Sequence, residues 1–307
     1  MRANPGTGIR CLVLLLLGAV TLQGMALRPG SPPVSVRLYG EREGLPNLTI
    51  HDVTQGPDGR LWVGTQDGAA CFDGKVWTAW HLPFQGGSDW VRAVLPSQDG
   101  SVWFGTLDAG LWQWRDGIWV HHDAAKGLPF SRINTLLETR SATGALTLWV
   151  GSGGEGLGRW HDGHWDILGT KDGLPSGWIW RLRQAPDPEG GQSIWICTRA
   201  GLARWKEGRL LTSPSLGWFQ GWETEDILTE SGPEGFRATV ACWNHGLAEW
   251  TGRTWRVRGP SEGFPSLRPI CLERTQIPGQ APVAWVGTYN DGLLWRQGFG
   301  TWRPLTL

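Results

Sequence analysis

Six positions along the chain carry side chains suited to holding a flat, polar ligand: Thr49, Trp90, Arg132, Trp178, Trp222 and Arg268. Three indoles offer broad apolar faces on which a sugar ring or another planar group stacks. Two guanidiniums offer forked donors that match a carboxylate. Each of the six stands at the same place in a recurring stretch of sequence, just ahead of an apolar run. A second series follows the next apolar run: Asp67, Asp108, Glu155, Arg199, Asn244, His245, Tyr289, Asn290 and Asp291. These residue types hydrogen-bond ligands and are equally at home in tight turns. His245 and Tyr289 join the six as the expected ligand contacts.

Other chemistry is thinly represented. His121-His122 and His161-Asp-Gly-His164 supply imidazoles, but the spacing fixes no third or fourth metal ligand. They are expected to be solvated residues of outer hairpins, with no metal and no cofactor bound. His51 and His245 lie nearest the expected rim and are the histidines positioned for acid–base work. No Ser-His-Asp order, phosphate loop or metalloprotease helix motif is present, so the chain is not expected to be an enzyme. Formal net charge is zero and no basic run occurs, which removes the electrostatic footprint of nucleic-acid binding. Asn47-Leu48-Thr49 matches the N-glycosylation sequon.

The elements that must position these residues are written in a tryptophan repeat. Trp62, Trp103, Trp149, Trp195 and Trp285 sit in the phrases Leu61-Trp-Val-Gly-Thr65, Val102-Trp-Phe-Gly-Thr106, Leu148-Trp-Val-Gly-Ser152, Ile194-Trp-Ile-Cys-Thr198 and Ala284-Trp-Val-Gly-Thr288. Thr239-Val-Ala-Cys-Trp243 is a degenerate further copy, with Val240 aligned to the tryptophan. The intervals run from roughly 41 to 46 residues, a period that signals a β-propeller. Within each unit, Asp-Gly and Gly-containing turns separate four short apolar runs, as at Asp73-Gly74, Asp116-Gly117 and Asp162-Gly163. Asp-Gly suits tight hairpins because both residues accept positive φ. The fourth run carries its own indole, Trp77, Trp119, Trp165, Trp255 or Trp302.

The expected fold is therefore all-β: a propeller of six four-stranded units, with seven-bladed closure possible because residues 34–39 resemble one extra outer strand. The longer first connections, 140–145, 187–192 and 276–282, are expected to be surface excursions. With 23 tryptophans in the chain, aromatic area fills the wedges between sheets.

The first 26 residues read as a secretory signal peptide: Arg2 and Arg10, an apolar run, then small residues around Met25. The propeller domain is then 27–307, located in the periplasm or outside the cell, with no membrane span after cleavage. Cys71, Cys197, Cys242 and Cys271 remain. Cys197 and Cys242, aligned to the glycine of the tryptophan phrase, are expected to be small buried residues. Neighbouring sheets stand too far apart for them to bridge.

At Gly44-Leu-Pro-Asn47, Asp58-Gly-Arg-Leu-Trp-Val-Gly-Thr65 and Asp67-Gly68, repeated at Gly127-Leu-Pro-Phe-Ser131 and Gly173-Leu-Pro-Ser176 and varied at Gly263-Phe-Pro-Ser266, the chain resembles the two-component regulator propeller repeat. The resemblance implies a periplasmic ligand-binding sensor, often for glycan fragments, with a protein partner in a signalling pathway. The sequence ends with the last repeat and carries no kinase motifs, so a stand-alone or truncated relative is expected. A weaker resemblance, in the Gly-x-Leu-Trp strand phrase, is to virginiamycin B lyase-type propellers. A protein-interaction scaffold without a small ligand is the other alternative, since a propeller's function lies in its site and not its fold.

Overall fold

The computed structural model describes residues 37–83, 89–141, 143–211, 214–232, 235–276, 281–298 and 300–305. The expected signal peptide and residues 34–36 of the expected extra strand lie outside them. Arg37–Gly40 is not a strand, but Tyr39 packs edge-on against Phe72 and Trp77.

Six antiparallel sheets of four strands follow one another in chain order. Blade one comprises Ile50–Gln55, Leu61–Thr65, Ala69–Phe72 and Trp77–Trp80, and blade two Val91–Pro96, Val102–Thr106, Leu111–Arg115 and Ile118–His122. Blade three comprises Ile133–Arg140, Leu146–Ser152, Leu157–His161 and His164–Leu168. Blade four comprises Ile179–Pro186, Gln192–Thr198, Gly201–Lys206 and Arg209–Leu211. Blade five comprises Thr224–Gly232, Gly235–Cys242, Gly246–Trp250 and Trp255–Arg258. Blade six comprises Pro269–Thr275, Val283–Thr288, Leu293–Gln297 and Arg303–Pro304. The first strand of each blade packs beside the first strand of the next, so the innermost strands line an axis. The protein is a six-bladed propeller.

The tryptophan phrase has a physical reason at each position. Its tryptophan points into the wedge toward the following blade. Trp62 lies 6.1 Å from Phe104, Trp149 5.5 Å from Trp205, and Trp195 is stacked 6.2 Å from Phe236. Its glycine admits the next blade. A Cβ on Gly105 would stand 2.5 Å from Ile133 Cγ2, and one on Gly151 2.8 Å from Ile179 Cγ2. Its threonine closes the following turn: Thr65, Thr106, Thr198 and Thr288 donate their hydroxyls to Gly68, Gly110, Gly201 and Gly292 carbonyls at 2.7–3.0 Å. The same hydroxyls accept turn N–H groups, as from Asp67 and Ala109.

Blade five corrects the sequence alignment by one residue. Asp226 faces Ala241 and Leu228 faces Thr239, whereas in blade four Arg181 faces Cys197 and Arg183 faces Trp195. Thr239, not Val240, therefore occupies the tryptophan place, and Cys242 takes the place of the threonine. Cys197 does replace the glycine. The next blade begins there with Thr224, where Val91, Ile133 and Ile179 stand in other blades. No disulfide forms among the described residues, and the four cysteines are buried.

Five apolar clusters span consecutive blades, from blades one and two, which share Trp62, Val94 and Phe104, to blades five and six, which share Ala241, Leu272 and Val286. On the sixth side the apolar residues form two clusters: Leu45, Val63 and Ala70 in blade one, and Val283, Trp285 and Trp295 in blade six.

Candidate functional site

One end of the ring is built from the chain entering each innermost strand and from the turn after each second strand. A backbone hydrogen bond ties the two together in every blade. Gln66, Leu107, Gly153, Arg199, Trp243 and Tyr289 donate N–H to the carbonyls of Thr49, Trp90, Arg132, Trp178, Glu223 and Arg268, at 2.9–3.1 Å. This bond defines a ring of six equivalent positions at the mouth of the axis. Five are the residues expected from sequence. The sixth is Glu223, and Trp222 lies one residue outside the ring, donating its N–H to Phe219 in a turn. The displacement matches the one-residue shift of blade five. It arises because this blade is entered through a helical turn at Pro214–Gly217 and not through Gly-Leu-Pro.

Blades three to six form an arginine–aromatic sector on this rim. The Cζ atoms of Arg132 and Arg199 lie 5.3 and 5.6 Å from the Trp178 ring centre. Arg268 Cζ lies 5.4 Å from Trp243 and 5.9 Å from Tyr289, whose rings meet edge-on at 5.2 Å. Each contact is within cation–π range. Trp178 also packs 5.4 Å from Trp180, and Trp180 donates Nε1–H to Glu223 Oε1 at 2.8 Å. Arg199 and Arg268 are exposed, while the aromatic rings beneath them are half-buried. Guanidiniums pre-oriented on aromatic faces suit a ligand with an anionic or polar edge.

Sequence reasoning missed Trp180, Glu223 and Trp243. The signal was available: the second residue after the ring position and the residue after the tryptophan phrase recur at fixed offsets in every repeat. The other expected residues are dispersed. His245 stacks on Trp222, with ring centres 3.8 Å apart, and its Nδ1 lies 2.8 Å from the Trp243 carbonyl. Trp90 packs 5.4 Å from the buried His51. Thr49 donates its backbone N–H to Asn47 Oδ1. Asp67, Asp108, Glu155, Asn244, Asn290 and Asp291 belong to the second-to-third turns. Among them, Glu155 reaches Ser131 and Asn244 accepts from Arg268.

Below the rim the axis is closed by charge. Arg183 donates a bidentate pair to Asp226, Nε to Oδ1 at 2.7 Å and Nη2 to Oδ2 at 2.8 Å, and also reaches the Leu272 carbonyl. Arg181 pairs with Asp52 at 3.5 Å and approaches Asp226 at 4.0 Å. Asp226 further accepts the N–H of Leu272, as Asp52 accepts that of Val94. The network joins blade four to blades one, five and six, and Asp52 extends it to blade two. Burial opposes ionisation of Asp226, but the two guanidiniums and the hydrogen bonds outweigh it and hold the carboxyl below its usual range. The same carboxylate raises Arg183 against its own burial.

Of the histidines expected to be solvated in outer hairpins, His164 is exposed there, while His122 and His161 are withdrawn from solvent. His122 is buried between blades two and three, 4.9 Å from Trp103 and 6.0 Å from Trp160. Burial, then Lys126 and His121, lowers it to about 4. His161 is half-buried and bonded to Asp162 and Asp166. A shallow depression of about 420 Å³ between Asp58–Leu61 and Phe72–Lys75 lies at the opposite end of blade one from the rim.

The fold is that of a six-bladed propeller with arginines and aromatic rings gathered at one end of the axis. Residues 44–67 match the profile of the two component regulator propeller. None of the curated proteins matches it in sequence. Among solved structures it is similar to the extracellular domain of a hybrid two component system of B. thetaiotaomicron. That likeness has a TM-score of 0.63 at 17% identity, over 85% of this chain and 35% of that one. A second such domain from the same organism gives 0.60 at 15%, over 83% and 33%. Virginiamycin B lyase from Staphylococcus aureus, solved as a catalytically inactive variant with quinupristin, gives 0.55 at 15%, over 84% and 85%. The chain spans about a third of the length of the two sensor-domain structures. At these identities the likeness is one of fold. Among the described residues no helix is long and apolar enough to cross a membrane.

Proposed function

We propose that this propeller is an exported ligand-recognition module of the two-component sensor type. It holds a small ligand, a glycan fragment with a carboxylate or polar edge, on the axis mouth without turning it over. The observation that carries the reading is the paired placement of Arg132 and Arg199 on Trp178 and of Arg268 on Trp243 and Tyr289. A protein partner in a signalling pathway would read the bound state from the rigid outer surface. Sharing a fold with extracellular sensor domains supports both the role and a location outside the cytoplasm.

The test is a panel of neutral and uronate-bearing oligosaccharides, read by intrinsic tryptophan fluorescence and calorimetry. Uronate-bearing members are expected to bind, and Trp178→Ala and Arg268→Ala are each expected to weaken binding by about 1–3 kcal/mol. Unchanged binding in the Trp178→Ala/Arg268→Ala double variant, with circular dichroism intact, would place the ligand elsewhere. If no glycan binds but a protein partner does, the scaffold reading takes over. Turnover of a bound ligand that is lost in His245→Ala would move the protein to the lyase class.

A further inference from the structure

Two histidines and a carboxylate converge on the outer corner of blade three, at the end of the molecule opposite the rim. Strands Leu157–His161 and His164–Leu168 are joined by Asp162 at φ 50° and Gly163 at φ 81°, the two left-handed residues of a type I′ turn. That turn sets His161 directly opposite His164, with ring centres 4.4 Å apart. Asp166, two residues beyond His164, lies on the same strand face. Its Oδ2 is 2.7 Å from His161 Nε2 and its Oδ1 3.6 Å from His164 Nε2. One ligand atom from each residue lies within 4.8 Å of the other two.

An outer partner is also in place. Asp162 Oδ2 lies 3.0 Å from His161 Nδ1. Metal-binding histidines commonly give their far nitrogen to a carboxylate, which fixes the tautomer and directs the other lone pair at the ion. We propose that this corner binds one divalent first-row transition cation of the zinc class through His161 Nε2, His164 Nε2 and the Asp166 carboxylate, with solvent completing the shell. Two imidazoles in a three-ligand set suit such an ion and not calcium or magnesium. The site is independent of the rim and of any glycan bound there.

Arg159 tunes the corner. Its Nη2 is 2.5 Å from His161 Nε2 and 3.3 Å from Asp166 Oδ2, so its charge opposes the cation. Its Cζ also lies 5.8 and 5.4 Å from the Trp149 and Trp205 ring centres. Those indole faces retain the guanidinium when a metal takes the carboxylate.

Calorimetric titration of the chelator-treated full chain with Zn²⁺ tests the site, with circular dichroism on every variant. His164 and Asp166 are solvent-accessible, so His164→Ala and Asp166→Asn are expected to fold. One ion per chain is expected, weakened about tenfold or more in each of these two variants and tightened in Arg159→Gln. His81→Ala removes a member of the separate Asp67, His81 and Asp89 group and is expected to leave the affinity unchanged. Absence of binding, or binding that survives both His164→Ala and Asp166→Asn, would overturn the proposal. Loss in His81→Ala alone would assign the ion to the other group and overturn it equally. Unchanged affinity in Arg159→Gln would refute placement of the ion against Asp166.

Discussion

His122 shows how one side chain inside a wedge sets the pH response of the fold. Its Nε2 lies 3.2 Å from Gln113 Oε1, and its Nδ1 is buried without a hydrogen bond, so a proton there has no partner. The folded state lowers the imidazole from the ordinary 6.5 to about 4. The unfolded chain therefore takes up the proton first as pH falls, and stability is lost between those values. The loss is expected to be about 3 kcal/mol. Urea unfolding at pH 7 and pH 4.5 measures it, and His122→Phe should remove most of the difference. Glu223 stands at the rim. Its carboxylate is taken by Trp180, so Glu223→Gln is expected to keep the indole in place and leave the fold intact, whereas Glu223→Ala frees it. The Trp180 emission spectrum, read against a Trp180→Phe control, distinguishes the two.

Strand against strand, the repeat works by matching small to branched. Gly64, Gly105 and Gly151 face blades that begin with Val91, Ile133 and Ile179. A methyl added at any of them meets the next innermost strand at 2.5–2.8 Å. Gly105→Ala is expected to cost about 1–3 kcal/mol by overpacking. In Gly105→Ala/Ile133→Ala the 2.5 Å contact with Cγ2 is gone while the 2.8 Å contact with Cβ remains, so thermal unfolding should show a cost somewhat below the sum of the two single variants. Additive costs would mean that Cγ2 is not what the glycine accommodates. Burial pushes the Cys197 and Cys242 thiols up, which leaves both as inert packing groups.

Across the whole molecule, the blades are tied through the axis as well as side to side from blade one to blade six. Asp226 is fully buried and bonded to Arg183 in blade four and Leu272 in blade six. Asp226→Ala leaves two guanidiniums without their shared carboxylate and is expected to cost about 3–5 kcal/mol, seen as a large drop in Tm. Because the folded carboxyl ionises below its unfolded value, its contribution is complete above about pH 4. It is lost as pH falls through the folded value, a window more acidic than that of His122. Acid unfolding should therefore proceed in two slopes, and only the lower one should change in Asp226→Asn.

The blade, the number of repeats and five of the six ring positions are legible along the chain. Turn glycines, the tryptophan period and the threonine hydroxyls act over a few residues, and local chemistry of that kind is legible in order along the chain. Gly-Leu-Pro anchored the alignment wherever it occurred, and without it, at Trp222 and Val240, the register slipped by one. Only the tertiary structure decided what meets across the axis and between wedges. Arg181 finds Asp52, Arg183 finds Asp226 and Leu272, and Arg268 finds Trp243 and Tyr289. His122 turns inward against Trp160 of the next blade. Those outcomes depend on the rotation of each sheet relative to the next, a quantity set by the packing of all the blades together and carried by no single repeat.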